Sequence, residues 1–245
     1  MLRLRDKRAE QWLRTKSTSL LSGLQVLWTG QVQRTIASGL ERGINPNSVG
    51  LELAGRINRQ TGKREGGSVS LGELELGQVS DFRRCLVELD QTYFEYDLRN
   101  KRSDKTVHLA ICEKKPLELE KITTLVNQFE AKLLKHQYDI LVRTEMLSAI
   151  NRSAYLSVKK SIDDSGMSEL ASTRIWNSCG DDKVRPSHKA LDGQCLTGFS
   201  ECFVSPITGA KMMYPGDISL GAPDEEIRGC RCRVIYRTDF AYGEE

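Results

Sequence analysis

The chain has no apolar run approaching the roughly 20 residues that a membrane-crossing helix needs, and Met1 to Lys16 lacks the apolar segment of a secretion signal. The expectation is a protein made in a cytoplasm, without a membrane partner. Also missing are G-x-S-x-G, H-E-x-x-H, the P-loop and G-x-G-x-x-G, the patterns that most often announce hydrolases, metalloproteases and nucleotide enzymes. We therefore expect no enzyme. Internal repeats and low-complexity tracts are absent too, and neither sign of charge dominates: 36 basic residues stand against 33 acidic ones, a net +3. Contact with nucleic acid would have to come from local patches.

What is present is an ordinary globular composition, 245 residues with 39% hydrophobic and 28% charged, enough to bury one large core or two small ones. The seven cysteines are an odd number in a chain too long to need disulfide staples. Five of them, Cys179, Cys195, Cys202, Cys230 and Cys232, fall in the last third, which suggests a local structural role.

Apolar residues recur at helical spacing from Arg8 to Glu41, through Leu20, Leu24, Trp28, Val32, Ile36 and Leu40, before Gly43 and Pro46 stop the pattern. One long helix is expected there. Asn47 or Ser48 could cap a shorter helix to about Asn58, and a loop should follow through Thr61-Gly62-Lys63-Arg64-Glu65-Gly66-Gly67. Val79, Phe82, Leu86, Leu89 and Tyr93 support a third helix over about Leu74 to Phe94, interrupted by the charged stretch Asp97 to Lys105. After Pro116, the residues Ile122, Val126, Phe129, Leu133, Ile140, Leu147, Ile150 and Ala154 mark the strongest seam, with His136 and Arg143 on it where it turns polar.

Beyond Ser161 glycine and proline appear every few residues, and no helical period lasts. Phe199 to Val204 and Val234 to Tyr236 read as strands, and Pro186 to Leu191 as one helical turn ended by Gly193. The expected fold class is α+β: a mainly helical lobe over 1–160 with one long helix, then a small irregular α+β lobe over 161–245.

Several constellations could carry chemistry. Cys230-Arg231-Cys232 would aim two thiols at one face of an extended strand, although a shared zinc ion would require the backbone to bend. His188 and one further residue, Cys195 first, could complete a four-ligand shell. A disulfide, or plain packing with His188 hydrogen-bonded to Asp182 or Asp192, would explain the same residues. A reducing cytoplasm favours zinc over a disulfide. Paired carboxylates with a histidine, as in Asp181, Asp182 and His188, also suit acid–base or metal chemistry; a small metal-dependent nuclease or toxin-like enzyme built on Asp182, His188 and Cys230 is the alternative reading. Basic residues cluster at Arg3 and Arg5, and again at Arg228, Arg231, Arg233 and Arg237. They are candidate contacts to DNA phosphates, although Glu225 and Glu226 beside the second cluster make a solvated mixed surface the simpler reading.

In order along the chain, Thr61 to Gly67, Arg143-Thr144-Glu145, Trp176, Asp181 to His188, Leu191-Asp192-Gly193, Tyr214-Pro215-Gly216-Asp217 and Cys230-Arg231-Cys232 resemble the phage Mu protein F-like family of minor head proteins, also described as phage head morphogenesis proteins. Residues 1–45 carry no part of this pattern, and Gly229 stands where the family often has asparagine. The resemblance implies a virion component present in several copies near the portal vertex of the head, made in the host cytoplasm during assembly. Its implied partners are the portal protein, the major capsid protein and packaged double-stranded DNA, and its implied role is in DNA packaging or delivery. The motif positions Arg143, Glu145, Trp176, Asp182, Arg185, Asp192, Gly193, Pro215, Gly216 and Asp217 would then be structural, and no catalytic residue is implied.

Overall fold

The structure, a computed structural model, describes residues 6–16, 20, 30–58 and 64–239. The fold is α+β. It forms two compact units, one from the described parts of Met1–Gly23, Gln33–Asn47 and Ile140–Glu245, the other from those of Leu24–Val32 and Ser48–Asp139. Among the described residues no helix is long and apolar enough to cross a membrane.

The single helix expected over Arg8 to Glu41 is instead divided. Helix α1 spans Lys7–Thr15 and ends at Lys16, whose backbone is extended (φ −73°, ψ 139°), and α2 spans Gly30–Glu41. Asp6 caps α1 by accepting from the Arg8 and Ala9 amides, as an N-cap carboxylate should. Its C-terminus is closed from α2, where Gln33 Nε2 donates to the carbonyls of Leu13, Arg14 and Lys16 at 2.6–2.9 Å. Those are the carbonyls a helix end leaves unpaired. Leu24 and Trp28 of the expected seam lie outside the described residues, whereas Leu20 is buried.

Helix α3 (Pro46–Ala54) starts after Asn45, whose side chain accepts from the Asn47 amide, and stops before Gly55 (φ 77°). Strands β1 (Arg56–Ile57) and β2 (Arg64–Glu65) then pair antiparallel, so Arg64 and Glu65 of the expected glycine-rich loop are strand. Helix α4 (Glu73–Glu88) is shorter than expected: Leu89 takes the left-handed conformation (φ 58°), and Asp90 caps a separate 3-10 turn, Gln91–Glu95. Part of the charged interruption is helical as well, since α5 spans Asp104–Glu113. Helix α6 covers Leu119–Ser165, 47 residues. Its first half buries Ile122, Leu125, Phe129, Leu133 and Tyr138, and Phe129 stacks on Phe82 with ring centroids 4.2 Å apart. His136 is exposed, off the seam where the spacing placed it.

The C-terminal part of the chain contains β3 (Ser172–Asn177), α7 (Pro186–Leu191), β4 (Cys195–Thr197), β5 (Phe203–Val204), β6 (Lys211–Met212), α8 (Asp224–Ile227) and β7 (Arg233–Thr238). β3 is the centre of a three-stranded antiparallel sheet in the order β4-β3-β7, with Ile175 opposite Cys195 and Trp176 opposite Val234. β5 and β6 form a separate two-stranded ribbon. Of the expected strand Phe199 to Val204, only its last two residues are extended in the ribbon, and Phe199 is a buried loop residue.

Arg174 explains how so irregular a region packs. Its buried guanidinium donates to the carbonyls of Gly198, Met213 and Glu201 at 2.6, 3.0 and 2.5 Å, and lies within 6 Å of the Tyr155, Phe199 and Phe203 rings. A planar fork of donors satisfies carbonyls that loops cannot pair among themselves.

Candidate metal centre

Pro186 begins α7 with its φ already helical and no amide to leave unpaired. Two residues on, His188 is 1% exposed, its ring edge-on to Trp176 with centroids 5.1 Å apart. Nδ1 faces the two thiols, 3.4 Å from Cys230 Sγ and 3.5 Å from Cys232 Sγ. Nε2 faces a carboxylate, 2.9 Å from Glu226 Oε2 in α8. That contact is an ion-pair distance without hydrogen-bond alignment in the present ring orientation. Glu226 is itself buried and fixed, accepting from Ser187 Oγ at 3.0 Å and from Thr208 Oγ1 at 2.7 Å.

The cysteines do not lie in an extended strand. They follow α8 in a turn in which Gly229 has φ 64°, the Cys230 amide donates to the Ile227 carbonyl, and the Cys232 amide donates to Cys230 Sγ at 3.4 Å. Glycine meets the turn's need for a positive φ. The turn thus lies just ahead of the two thiols, both sulfurs come to the same ring nitrogen of His188, and β7 begins only afterwards. His188, Cys230 and Cys232 each offer a ligand atom, and these atoms lie within 4.8 Å of one another. The cavity beside them measures about 20 Å³ and is lined by Arg185, Gly229 and Arg231 among others. That is room for one water-sized occupant. Cys230 is held below the usual thiol range by its hydrogen bond with Cys232, and the same bond pushes Cys232 above it.

Cys195 does not join the cluster; it is exposed on β4, at the edge of the sheet. Asp182 is exposed, and the carboxylate at His188 is Glu226 rather than Asp182 or Asp192. Asp192 instead accepts from the Ser178 amide at 2.7 Å. Glu226, read from sequence as part of a solvated surface, is 3% exposed. The one available signal was the acidic run Asp224-Glu225-Glu226 just ahead of the C-x-C. No family model, curated protein or solved structure matches the chain.

The remaining motif residues are drawn into the surrounding scaffold. Glu145, 0% exposed, accepts from Lys16 Nζ at 2.5 Å and from the Leu20 amide at 2.7 Å. Arg143 donates to Asn47 at 2.8 Å, and Arg185 donates to the Arg228 carbonyl. Gly193 (φ 78°) donates its amide to the Trp176 carbonyl. Pro215 accepts at its carbonyl from Asn151 Nδ2, which also donates to the Cys232 carbonyl, at 3.0 and 3.1 Å. Gly216 (φ 85°) crosses so close to Ser148 that a Cβ there would overlap it. Asp217 is buried and accepts from the Met213 and Ser219 amides. Asn151, Ser148 and Arg174 were not singled out by sequence. Of the basic cluster, Arg231 is committed to Asp181 through two bonds of 2.6 Å, and Arg233 to Asn177 at 2.8 Å. Arg228 and Arg237 are exposed, and Arg3 and Arg5 lie outside the described residues.

Proposed function

We propose that this protein is a phage minor head component, structural rather than enzymatic, that sits near the portal vertex and takes part in head assembly and DNA packaging or delivery. What supports the reading is the fate of the motif residues that carry the resemblance. From Glu145 to Cys232, nearly all of them are spent on holding one lobe together, which is the role a structural motif should play. The portal protein, the major capsid protein and packaged DNA are its partners, and the head is its place, reached from the host cytoplasm. The exposed Arg228 and Arg237 are available to phosphates. The test is fractionation of infected cells: the protein should travel with portal complexes and mature heads. Recovery only in the soluble fraction, with plasmid nicking in magnesium or manganese, would replace this reading with the nuclease one.

The same reading takes the His188, Cys230 and Cys232 cluster as a structural zinc site. Zinc bonds of roughly 2.3 Å to sulfur and 2.0–2.1 Å to nitrogen put neighbouring sulfur and nitrogen ligands roughly 3.5 Å apart in a tetrahedron, and the two spacings here are 3.4 and 3.5 Å. Glu226 behind the ring is the carboxylate that commonly orients a ligating histidine. Zinc there would tie α7 to the C-x-C turn. Protein purified without chelator should carry near-stoichiometric zinc, lost in Cys230→Ser together with a lower melting temperature. Metal-free protein that melts unchanged after chelation overturns the site.

A further inference from the structure

Three ligand atoms leave a tetrahedral ion one position short, and structural zinc sites are closed by four protein ligands. We propose that Cys179 supplies the fourth ligand, giving a shell of three sulfurs and one imidazole nitrogen; this rests on the zinc reading above.

The case begins with where the chain puts this thiol. Strand β3 ends at Asn177, and two residues later Cys179 Sγ donates to the carbonyl of Arg231 at 3.1 Å. Arg231 is the residue between the two cluster cysteines. The loop that follows Cys179 is fastened to the C-x-C turn at two further points, between its cysteines and just ahead of them, through the paired bonds from Arg231 to Asp181 and the bond from Arg185 to the Arg228 carbonyl. Behind Cys179, the Ser178 amide is held by Asp192. Gly180 (φ 69°) turns the chain immediately after it.

The other donors nearby are occupied. Asp181 is spent on Arg231, Asp192 on Ser178, and Glu226 on Ser187, Thr208 and His188. Cys179 Sγ is not among the ligand atoms within 4.8 Å of one another and has to leave its single weak bond to a carbonyl to join them, a movement of the kind a χ1 rotamer change supplies. Its proton leaves to solvent as the sulfur–metal bond forms, as coordination requires. Three soft thiolates with one imidazole also suit zinc better than a hard cation.

Cobalt(II) is the probe, because its thiolate charge-transfer absorption grows with the number of bound sulfurs. The full chain loaded with cobalt should show three thiolates' worth, falling to about two thirds in Cys179→Ser and unchanged in Cys195→Ser and Cys202→Ser. A second measurement needs no variant: Cys179 should be alkylated readily in metal-free protein and protected when zinc is added. Full charge-transfer intensity in Cys179→Ser, or a Cys179 equally reactive with and without zinc, overturns this assignment and leaves the three-residue site standing. Absence of any cobalt–thiolate band in the unaltered protein removes the metal reading itself, and this assignment with it.

Discussion

The two halves of helix α6 are one continuous element yet pack by different physics. Up to Asp139 the buried positions are almost all apolar or aromatic, from Ile122 through Phe129 to Tyr138. From Ile140 onward Thr144, Glu145, Ser148, Asn151 and Ser153 are buried beside Leu141, Met146 and Ile150. The first half is held by contact area, which is non-directional. The second is held by hydrogen bonds with assigned partners: Thr144 accepts from the Gly229 amide at 2.7 Å, and Asn151 spans the Pro215 and Cys232 carbonyls. Area can hold a helix against its neighbours. Only directional bonds can hold loops with so few apolar side chains in one register.

That contrast predicts a graded set of losses. Truncating Phe129 to Ala should be the most costly, about 3–5 kcal/mol as for large core aromatics, because it removes the ring stacked on Phe82. Chemical denaturation would read it, and a loss below about 1 kcal/mol would mean that this half is not packed by its rings. At the candidate metal centre, Glu226→Gln keeps the shape but replaces the carboxylate behind His188. Zinc affinity, measured by chelator competition, should fall about 10–100-fold, whereas unchanged affinity would detach the carboxylate from the site. Asn151→Ala leaves two buried carbonyls unpaired and should cost about 1–3 kcal/mol. If Asn151→Leu matches the unaltered protein in thermal melts, the polar half packs by area after all.

The smallest expected effect concerns alkali. Burial pushes the Tyr138 hydroxyl up to about 12 from its ordinary 10, with Glu75 adding to the shift. The folded state therefore holds this proton more tightly than the unfolded chain does. The associated stability is complete below pH 10 and is lost as pH rises from 10 through 12. Tyr138→Phe should flatten the stability curve in that window, and an unaltered slope would show that the ring is wetter than its burial implies.

The same contrast explains what could be read in advance. The first half of α6 follows a helical apolar period, which sequence displays openly, and the long helix and the α+β class were legible from it. Strand β3 was not, because its inward positions are Ser172, Arg174 and Trp176; an alternation whose buried members include a serine and an arginine carries no hydropathy signal. The break in the N-terminal helix was hidden for a similar reason, since it depends on Gln33 and Glu145, both distant in sequence from Lys16. At the candidate metal centre His188, Cys230 and Cys232 were legible by residue type. Glu226 was masked by its acidic neighbours, and the exposed place of Cys195 on β4, away from the cluster, is set by strand pairing that sequence spacing does not display.

Arg174 carries a consequence for how freely this protein can vary. Lysine is the exchange most often tolerated for arginine, yet its single ammonium cannot reach three carbonyls spread over residues 198–213 in the plane that a guanidinium spans. Neighbouring loops can lengthen or change composition so long as they return those three oxygens to the same fork. One side chain thus acts as the keystone of an arch whose other stones are replaceable.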